Sequence, residues 1–176
     1  MPKPHKKVLL FTASGYEDLE GSYPLIRLRE AGFNVTTVGI EKKSPVLGKH
    51  GYPMQVDKQA DEIDPSDFSG CVIPGGMAPE ALRLNPAVID IVQDLNERRL
   101  PIGAICHGPQ VLISAELTKD RRMTCWKGIR DDLENAGAEF VDASSVLDDN
   151  VVTARNPDDL APFMKAFIEI LRELNK

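Results

Sequence analysis

The chain has 176 residues, of which 42% are apolar and 27% charged, and its formal net charge is -6. That length suits one domain, 1–176, with one sizeable core, and the composition excludes a disordered or fibrous chain. The acidic balance argues against a nucleic-acid partner, because phosphate backbones demand a basic patch and Lys3, Lys6 and Lys7 form only a solvated N-terminal edge.

Lys7 to Thr12 is a short apolar run closed by Ser14-Gly15 and predicts a buried strand. It is too short for a signal-peptide core, with Glu17 and Asp18 close behind. Glu17 to Ala31 predicts a helix that buries a face made by Leu19, Tyr23 and Ile26, with Gly32 as its stop. Asn34 to Ile40 is β-branched and predicts a second strand. Pro45 to Val56, with Gly48 and Gly51, predicts a hairpin or two short strands. Cys71 to Pro74 is a further buried strand ended by Gly75-Gly76. Pro86 opens a helix carrying Val88, Ile89, Val92 and Leu95. Pro101 to Ile105 is the next strand, with a helix from His107 to Ala115. Met123 to Trp126 predicts a strand and Ile129 to Ala136 a helix stopped by Gly137. Val146-Leu147 and Val151-Val152 flank Asp148-Asp149-Asn150, a hairpin signal. Leu160, Phe163, Met164, Phe167, Ile168, Leu171 and Leu174 form the apolar stripe of a last helix. No run is long enough to span a bilayer, so no membrane partner is expected.

Strands alternating with helices predict a mostly parallel sheet between two helical layers. Ligands of such sheets bind beyond the carboxyl ends of the strands. That rule selects three loops: Ala13 to Asp18, Gly75 to Pro79, and Cys106 to Pro109.

Cys106 lies in G-A-I-C-H-G-P, with small residues two before and two after it, Ala104 and Gly108. This is the pattern of a nucleophile elbow, a turn so tight that only small neighbours avoid clashes. At a helix N-terminus, free N–H groups and the dipole would lower the thiol pKa, and the thiolate is the nucleophilic form. The plain alternative is a small buried hydrophobe, which suffices for mid-strand Cys71. Cys125 fits either the core or a second thiol near the site. Three cysteines without C-x-x-C spacing argue against disulfides and structural zinc, and for a reducing cytoplasm. Gly75-Gly76 offers backbone N–H groups as oxyanion donors, or simply reverses the chain. Glu17 either complements the helix dipole, as Asp18 and Glu20 can equally, or faces Cys106 as a protonated acid. His107 directly follows Cys106, and neighbours in sequence do not easily face one another, which counts against that pair as nucleophile and base. His50 reads as a turn or interface residue, and His5 as part of a disordered terminus.

Taken together, G-Y-E-D-L-E, V-I-P-G-G-M-A-P-E, G-A-I-C-H-G-P and I-R-D-D-L-E-N-A-G-A resemble the ThiJ/PfpI family, specifically its PfpI-like intracellular-protease branch, in order and spacing from Lys7 to Leu174. The resemblance implies a flavodoxin-like sandwich related to class I glutamine amidotransferase domains. It implies that Cys106 is the nucleophile, that Glu17 is the buried acid touching the sulfur, and that Gly75 and Gly76 form the oxyanion loop. It also implies His107 as a base helped by Glu80 of a neighbouring subunit, hence a homo-oligomer. One departure stands out. Relatives carry Ser-Tyr where this chain has Cys125-Trp126, and an indole only donates hydrogen bonds, so Trp126 is a candidate for altering the substrate pocket.

Three functions follow from these residues. The first is cofactor-free and metal-free carbonyl chemistry of the glyoxalase and deglycase type, on a small oxoaldehyde or its adduct on a protein. The second is peptide hydrolysis by Cys106 and His107 with Glu80. The third is non-enzymatic redox sensing through oxidation of Cys106.

Overall fold

The computed structural model describes residues 7–42 and 44–174; Lys3, His5 and Lys6 lie outside the described residues. Strand β1 (Lys7–Phe11) is buried from Val8 onward, as a strand covered on both faces must be. Helix α1 (Asp18–Glu30) and strand β2 (Asn34–Gly39) follow. A small antiparallel hairpin, β3 (Val46–Leu47) and β4 (Pro53–Met54), and the short β5 (Lys58–Gln59) come next. Then come β6 (Cys71–Ile73), α2 (Ala78–Leu82), α3 (Pro86–Glu97), β7 (Ile102–Ile105) and α4 (Pro109–Ser114). The chain continues through β8 (Arg122–Met123), α5 (Arg130–Asn135), β9 (Glu139–Phe140), β10 (Val146–Asp148), β11 (Val151–Ala154) and α6 (Leu160–Glu173).

The main sheet runs β10-β11-β7-β6-β1-β2-β5. Every pairing in it is parallel except β10 with β11, which form the expected hairpin around Asp149. Helices α1 and α6 pack together on one face, and α2, α3 and α4 on the other. This is the flavodoxin-like sandwich. Strand order reverses between β1 and β6, the switch point where such sheets place their ligands. The loops after β1, β6 and β7 meet there.

Helix α6 buries Phe163, Met164, Phe167 and Leu171 completely or nearly so. Each side chain contributes roughly 1.5–3 kcal/mol of burial. A methyl group on Gly103 of β7 would come 3.0 Å from Phe163 and 3.1 Å from Phe167, so the glycine lets α6 sit down on the strand that leads to Cys106.

Three local expectations are corrected. Helix α1 turns Leu19 and Ile26 outward, 56% and 62% exposed, and buries Glu20, Gly21, Pro24 and Leu28 instead. The expected strand over Met123–Trp126 shrinks to β8. The Thr124 N–H donates to Thr153 Oγ1 and the Trp126 N–H to the Cys106 carbonyl, so this segment bonds to strand ends and not to a ladder. The helix after β7 starts at Pro109, not His107, because Cys106 has φ 62° and the chain turns there first.

Candidate active site

Cys106 is the last turn of chain before α4. Its N–H donates to the Ala154 carbonyl at the end of β11 (2.9 Å), and its own carbonyl accepts the Trp126 N–H (2.9 Å). Held from both sides, it occupies the left-handed region, a strained conformation for a residue with a Cβ and one that clusters at functional sites. Gly108 is needed two residues on: a Cβ there would fall 2.6 Å from the Ile73 carbonyl and 2.9 Å from the backbone of Ile105. Cys106 is only 7% exposed, just past the carboxyl end of β7.

The loops after β1 and β6 are stitched to each other beside it. Tyr16 and Gly76 form an antiparallel bridge, the Glu17 N–H donates to the Gly75 carbonyl, and the Met77 N–H donates to the Gly15 carbonyl. A Cβ on Gly76 would lie 2.4 Å from the Glu17 nitrogen, and its φ is +73°, so glycine is required twice over.

This stitching decides which carboxyl meets the sulfur. Glu17 stands at the N-cap of α1, and its Oε2 accepts the Glu20 N–H at 3.0 Å. Glu17 is therefore a cap, and the expectation that it touches the sulfur is corrected. Glu20, in the first turn of the helix and fully buried, takes that place. Its Oε2 accepts the Gly75 N–H at 2.8 Å, and its ionisation is tied to that of Cys106 through a contact between carboxyl and thiol. A Cβ placed on Gly75 would lie 2.5 Å from Glu20 Oε2 and 2.6 Å from Cys106 Cβ, which shows how close the two side chains are. The other carboxyl oxygen, Oε1, is buried with no hydrogen-bond partner among the described residues.

Gly75 is consequently not a free oxyanion donor, since Glu20 takes its N–H. The Gly76 N–H points at the sulfur instead, joined by that of His107, and these two lower the Cys106 pKa.

Electrostatics separate the two acids. Burial pushes the Glu20 carboxyl up to about 8; the Gly75 N–H opposes this, the Glu17 charge adds to it, and the contact with the Cys106 thiol opposes it again. Burial likewise pushes the Cys106 thiol up to about 12, with the Glu20 charge adding to the rise. The expected lowering by a helix N-terminus is not found. α4 is a six-residue helix starting beyond the turn, so its dipole is weak and desolvation wins. The Glu20 charge, however, exists only above about pH 8. At neutral pH Glu20 holds its proton, and that repulsion on a thiolate is absent.

His107 is closer than adjacency suggested: its Nδ1 lies 3.3 Å from Cys106 Sγ. Burial, and then the charge of Lys49, hold this imidazole below its ordinary pKa, so it is neutral at pH 7 and able to accept a proton. Its ring stacks on Trp126, centroids 6.3 Å apart at 28°. Trp126 also lines a cleft with Cys125, Lys127, Arg130 and Phe140. Glu80 sits in the first turn of α2 with an exposed side chain, and among the described residues no hydrogen bond joins it to His107 or Cys106. Cys71 and Cys125 are buried and free, and burial raises both thiols, Cys125 to about 12. His50 pairs with Asp18 at 3.3 Å in the turn between β3 and β4. Ligand atoms of Glu17, Asp18 and His50 come within 4.8 Å of one another, but both carboxylates already accept backbone N–H groups.

The DJ-1/PfpI family model matches residues 6–170. The chain belongs to the DJ-1/PfpI family. It is 46% identical over 166 residues to a deglycase of Thermococcus kodakarensis, covering 94% of this chain and 99% of that one. It is 39% identical over 167 residues to a Bacillus subtilis protein named as a candidate cysteine protease, covering 95% and 99%. Among solved structures it resembles Drosophila melanogaster DJ-1beta, with a TM-score of 0.87, 26% identity and coverage of 96% and 92%. It also matches the DJ-1/ThiJ/PfpI-like part of a two-domain Anabaena variabilis protein, with a TM-score of 0.90 and 39% identity, covering 96% of this chain but 48% of that one. This chain thus spans about half of the two-domain relative. Among the described residues no helix is long and apolar enough to cross a membrane.

Proposed function

We propose that this protein is a cysteine-dependent enzyme of reactive-carbonyl chemistry, of the glyoxalase and deglycase type, with Cys106 as nucleophile and Glu20 as the proton carrier. The observation that carries the reading is the pairing of a strained elbow cysteine with a buried carboxyl raised to about 8. The deglycase name of the Thermococcus relative supports it.

The sulfur attacks the aldehyde carbon of an oxoaldehyde: an S–C bond forms, the carbonyl π pair moves to oxygen, oxygen takes the Glu20 proton, and the thiol proton passes to His107 Nδ1. In an adduct the sulfur attacks the carbon that bears the amine nitrogen, the C–N bond breaks, and the amine leaves with the Glu20 proton. The Gly76 and His107 N–H groups, which reach the sulfur, stabilise its negative charge as the thiol proton leaves. The Glu20 carboxylate left by that step takes the proton of the former aldehyde carbon and returns it to the neighbouring carbonyl carbon, while the hydroxyl proton passes to the neighbouring oxygen. Water attacks the resulting thioester, the C–S bond breaks, and a hydroxy acid leaves with the thiol restored; no oxidant or reductant is consumed. Replacing Cys106 by Ser tests this: methylglyoxal turnover is expected to disappear, and a variant with wild-type turnover overturns the proposal.

Peptide hydrolysis is the second reading, and the 3.3 Å separation of Cys106 Sγ and His107 Nδ1 favours it, because an amine leaving group must be protonated. It requires Glu80 to come from a second copy. Cytoplasmic location and a homo-oligomer belong to the same proposal; exposed Leu19, Ile26, Met77 and Leu84 give a second copy apolar surface to cover.

A further inference from the structure

The chemistry above leaves one charge without a counterpart. Between the two halves of the Glu20 transfer, the C–H electron pair forms a C=C bond and the neighbouring carbonyl's π pair moves to its oxygen, which becomes negative. The loop after β6 has no donor free for that oxygen. The Gly75 N–H is held by Glu20, and the Gly76 and His107 N–H groups meet the sulfur.

A cation stands close by. Lys49 lies in the turn between β3 and β4, where segments 47–49, 15–17 and 75–77 run side by side. The Lys49 N–H donates to the Tyr16 carbonyl and the Gly15 N–H to the Leu47 carbonyl, both at 2.8 Å, while Tyr16 bridges Gly76. Asp18 fixes the turn: its carboxylate accepts the Tyr52 N–H at 2.8 Å and the His50 N–H at 2.9 Å, and a Cβ on Gly48 would fall 2.6 Å from it. The Lys49 backbone is thus two chain spacings, about 10 Å, from Gly76. A lysine stem spans about 6 Å, and the S–C–C–O atoms of a compound bonded to Cys106 roughly 3.5 Å more. The Lys49 charge is also felt on both sides of the sulfur. Burial first and Lys49 next hold the His107 imidazole down, and on Glu20, where burial dominates, Lys49 opposes the rise. The Lys49 side chain is exposed, and among the described residues no carboxylate pairs with it. Glu17 and Asp18 are committed to backbone N–H groups, and Asp18 also to the His50 ring.

We propose that Lys49 is a further catalytic residue, whose ammonium meets the oxygen on the carbon next to the one bonded to sulfur. The inference rests on the carbonyl-chemistry reading and supplies the group that stabilises its charged intermediate.

The test is alkylation of Cys106 by iodoacetate and by iodoacetamide. In both, an S–C bond forms and the C–I pair leaves with iodide. The carboxylate of iodoacetate then occupies the S–C–C–O position, and the amide is its neutral counterpart. Rates are read from the mass of the Cys106 peptide, so Cys71 and Cys125 are scored apart. Their ratio cancels any change in the ionisation of the thiol. The iodoacetate-to-iodoacetamide ratio should fall roughly threefold to fivefold in Lys49→Met, the scale of an exposed charge pair. It should hold in Lys49→Arg and in Lys119→Met, an exposed control beyond the far end of α4. For methylglyoxal, kcat in Lys49→Met should fall about tenfold or more with KM nearly unchanged, because the ground-state ketone is neutral. A ratio or a kcat unmoved in Lys49→Met overturns the proposal, as does resistance of Cys106 to both reagents. If wild type itself lacks Cys106-dependent turnover, the carbonyl reading fails, and the alkylation ratio alone then decides whether Lys49 recognises an anionic oxygen beside the sulfur.

Discussion

The Gly75 N–H donates to Oε2 of Glu20 over 2.8 Å, tying the loop after β6 to the first turn of α1. That bond consumes one potential oxyanion donor and sets the carboxyl beside the sulfur. A methyl group on Gly75 would lie 2.5 Å from Glu20 Oε2, 2.6 Å from Cys106 Cβ and 2.9 Å from the His107 nitrogen. Gly75→Ala should therefore destabilise the fold by about 1–3 kcal/mol. It should also lower kcat/KM at least roughly tenfold, because misplacing reacting groups by an ångström is costly. Denaturant unfolding and steady-state kinetics check both; wild-type kinetics in this variant would show that the carboxyl needs no such placement.

Stability should depend on pH through Glu20. Its native carboxyl titrates at about 8, against an ordinary value of 4.5. Between those values the native chain holds a proton that the unfolded chain has released, so stability falls as pH rises. The contribution is fully present below about 4.5 and is lost as pH rises through about 8. The difference in unfolding free energy between wild type and Glu20→Gln should decline across that window by up to about 1.4 kcal/mol per pH unit. Guanidinium titrations at a series of pH values measure it; a flat difference would mean the carboxyl is ionised throughout.

The elbow carries strain that glycine relieves. Cys106 has φ 62°, where a Cβ costs roughly 1–2 kcal/mol. Cys106→Ala keeps the Cβ, whereas Cys106→Gly removes it. Gly at 106 is therefore expected to be about 1 kcal/mol more stable than Ala at 106, the reverse of the usual order in regular structure. Equilibrium unfolding of the two variants decides the sign.

Trp126 should control His107. The imidazole is held below its ordinary pKa first by burial, and the stacked indole supplies part of that cover. In Trp126→Ala the His107 pKa should move up toward the ordinary histidine value. An NMR titration of the ring protons reads this directly, and an unmoved or lower value would assign the shift to Lys49 or to other neighbours.

Much of this site is visible in the sequence, and the part that is not has a physical cause. Ala104 and Gly108 mark Cys106 because a turn this tight excludes larger neighbours, a local requirement. The identity of the carboxyl is not local. It depends on how α1 is rotated about its axis, and successive helical residues are about 100° apart. By spacing alone Glu17, Asp18 and Glu20 serve the helix start equally, and only the family resemblance singles out Glu17. The native helix turns Glu20 inward, with Tyr16 and Gly76 bridged just ahead of it and Glu17 as its cap. The cap was the available signal: an acid immediately before a helix spends its carboxylate on that helix's own N–H groups, and Glu20 stands three residues on. His107 was discounted by a rule for helical neighbours, whereas the left-handed Cys106 swings the next residue's ring back toward the sulfur. The use of the Gly75 N–H is likewise a tertiary matter, 55 residues from its acceptor.

The account stands or falls on which glutamate serves the sulfur. Methylglyoxal turnover by Glu20→Gln and Glu17→Gln, each compared with wild type, separates the two. Glu20→Gln should lose about 10²–10⁴-fold in kcat, the range of a lost general acid–base group. Glu17→Gln should stay within about tenfold of wild type, with a loss of about 1 kcal/mol in stability from the weakened cap. Full activity in Glu20→Gln, or the larger loss in Glu17→Gln, would contradict it.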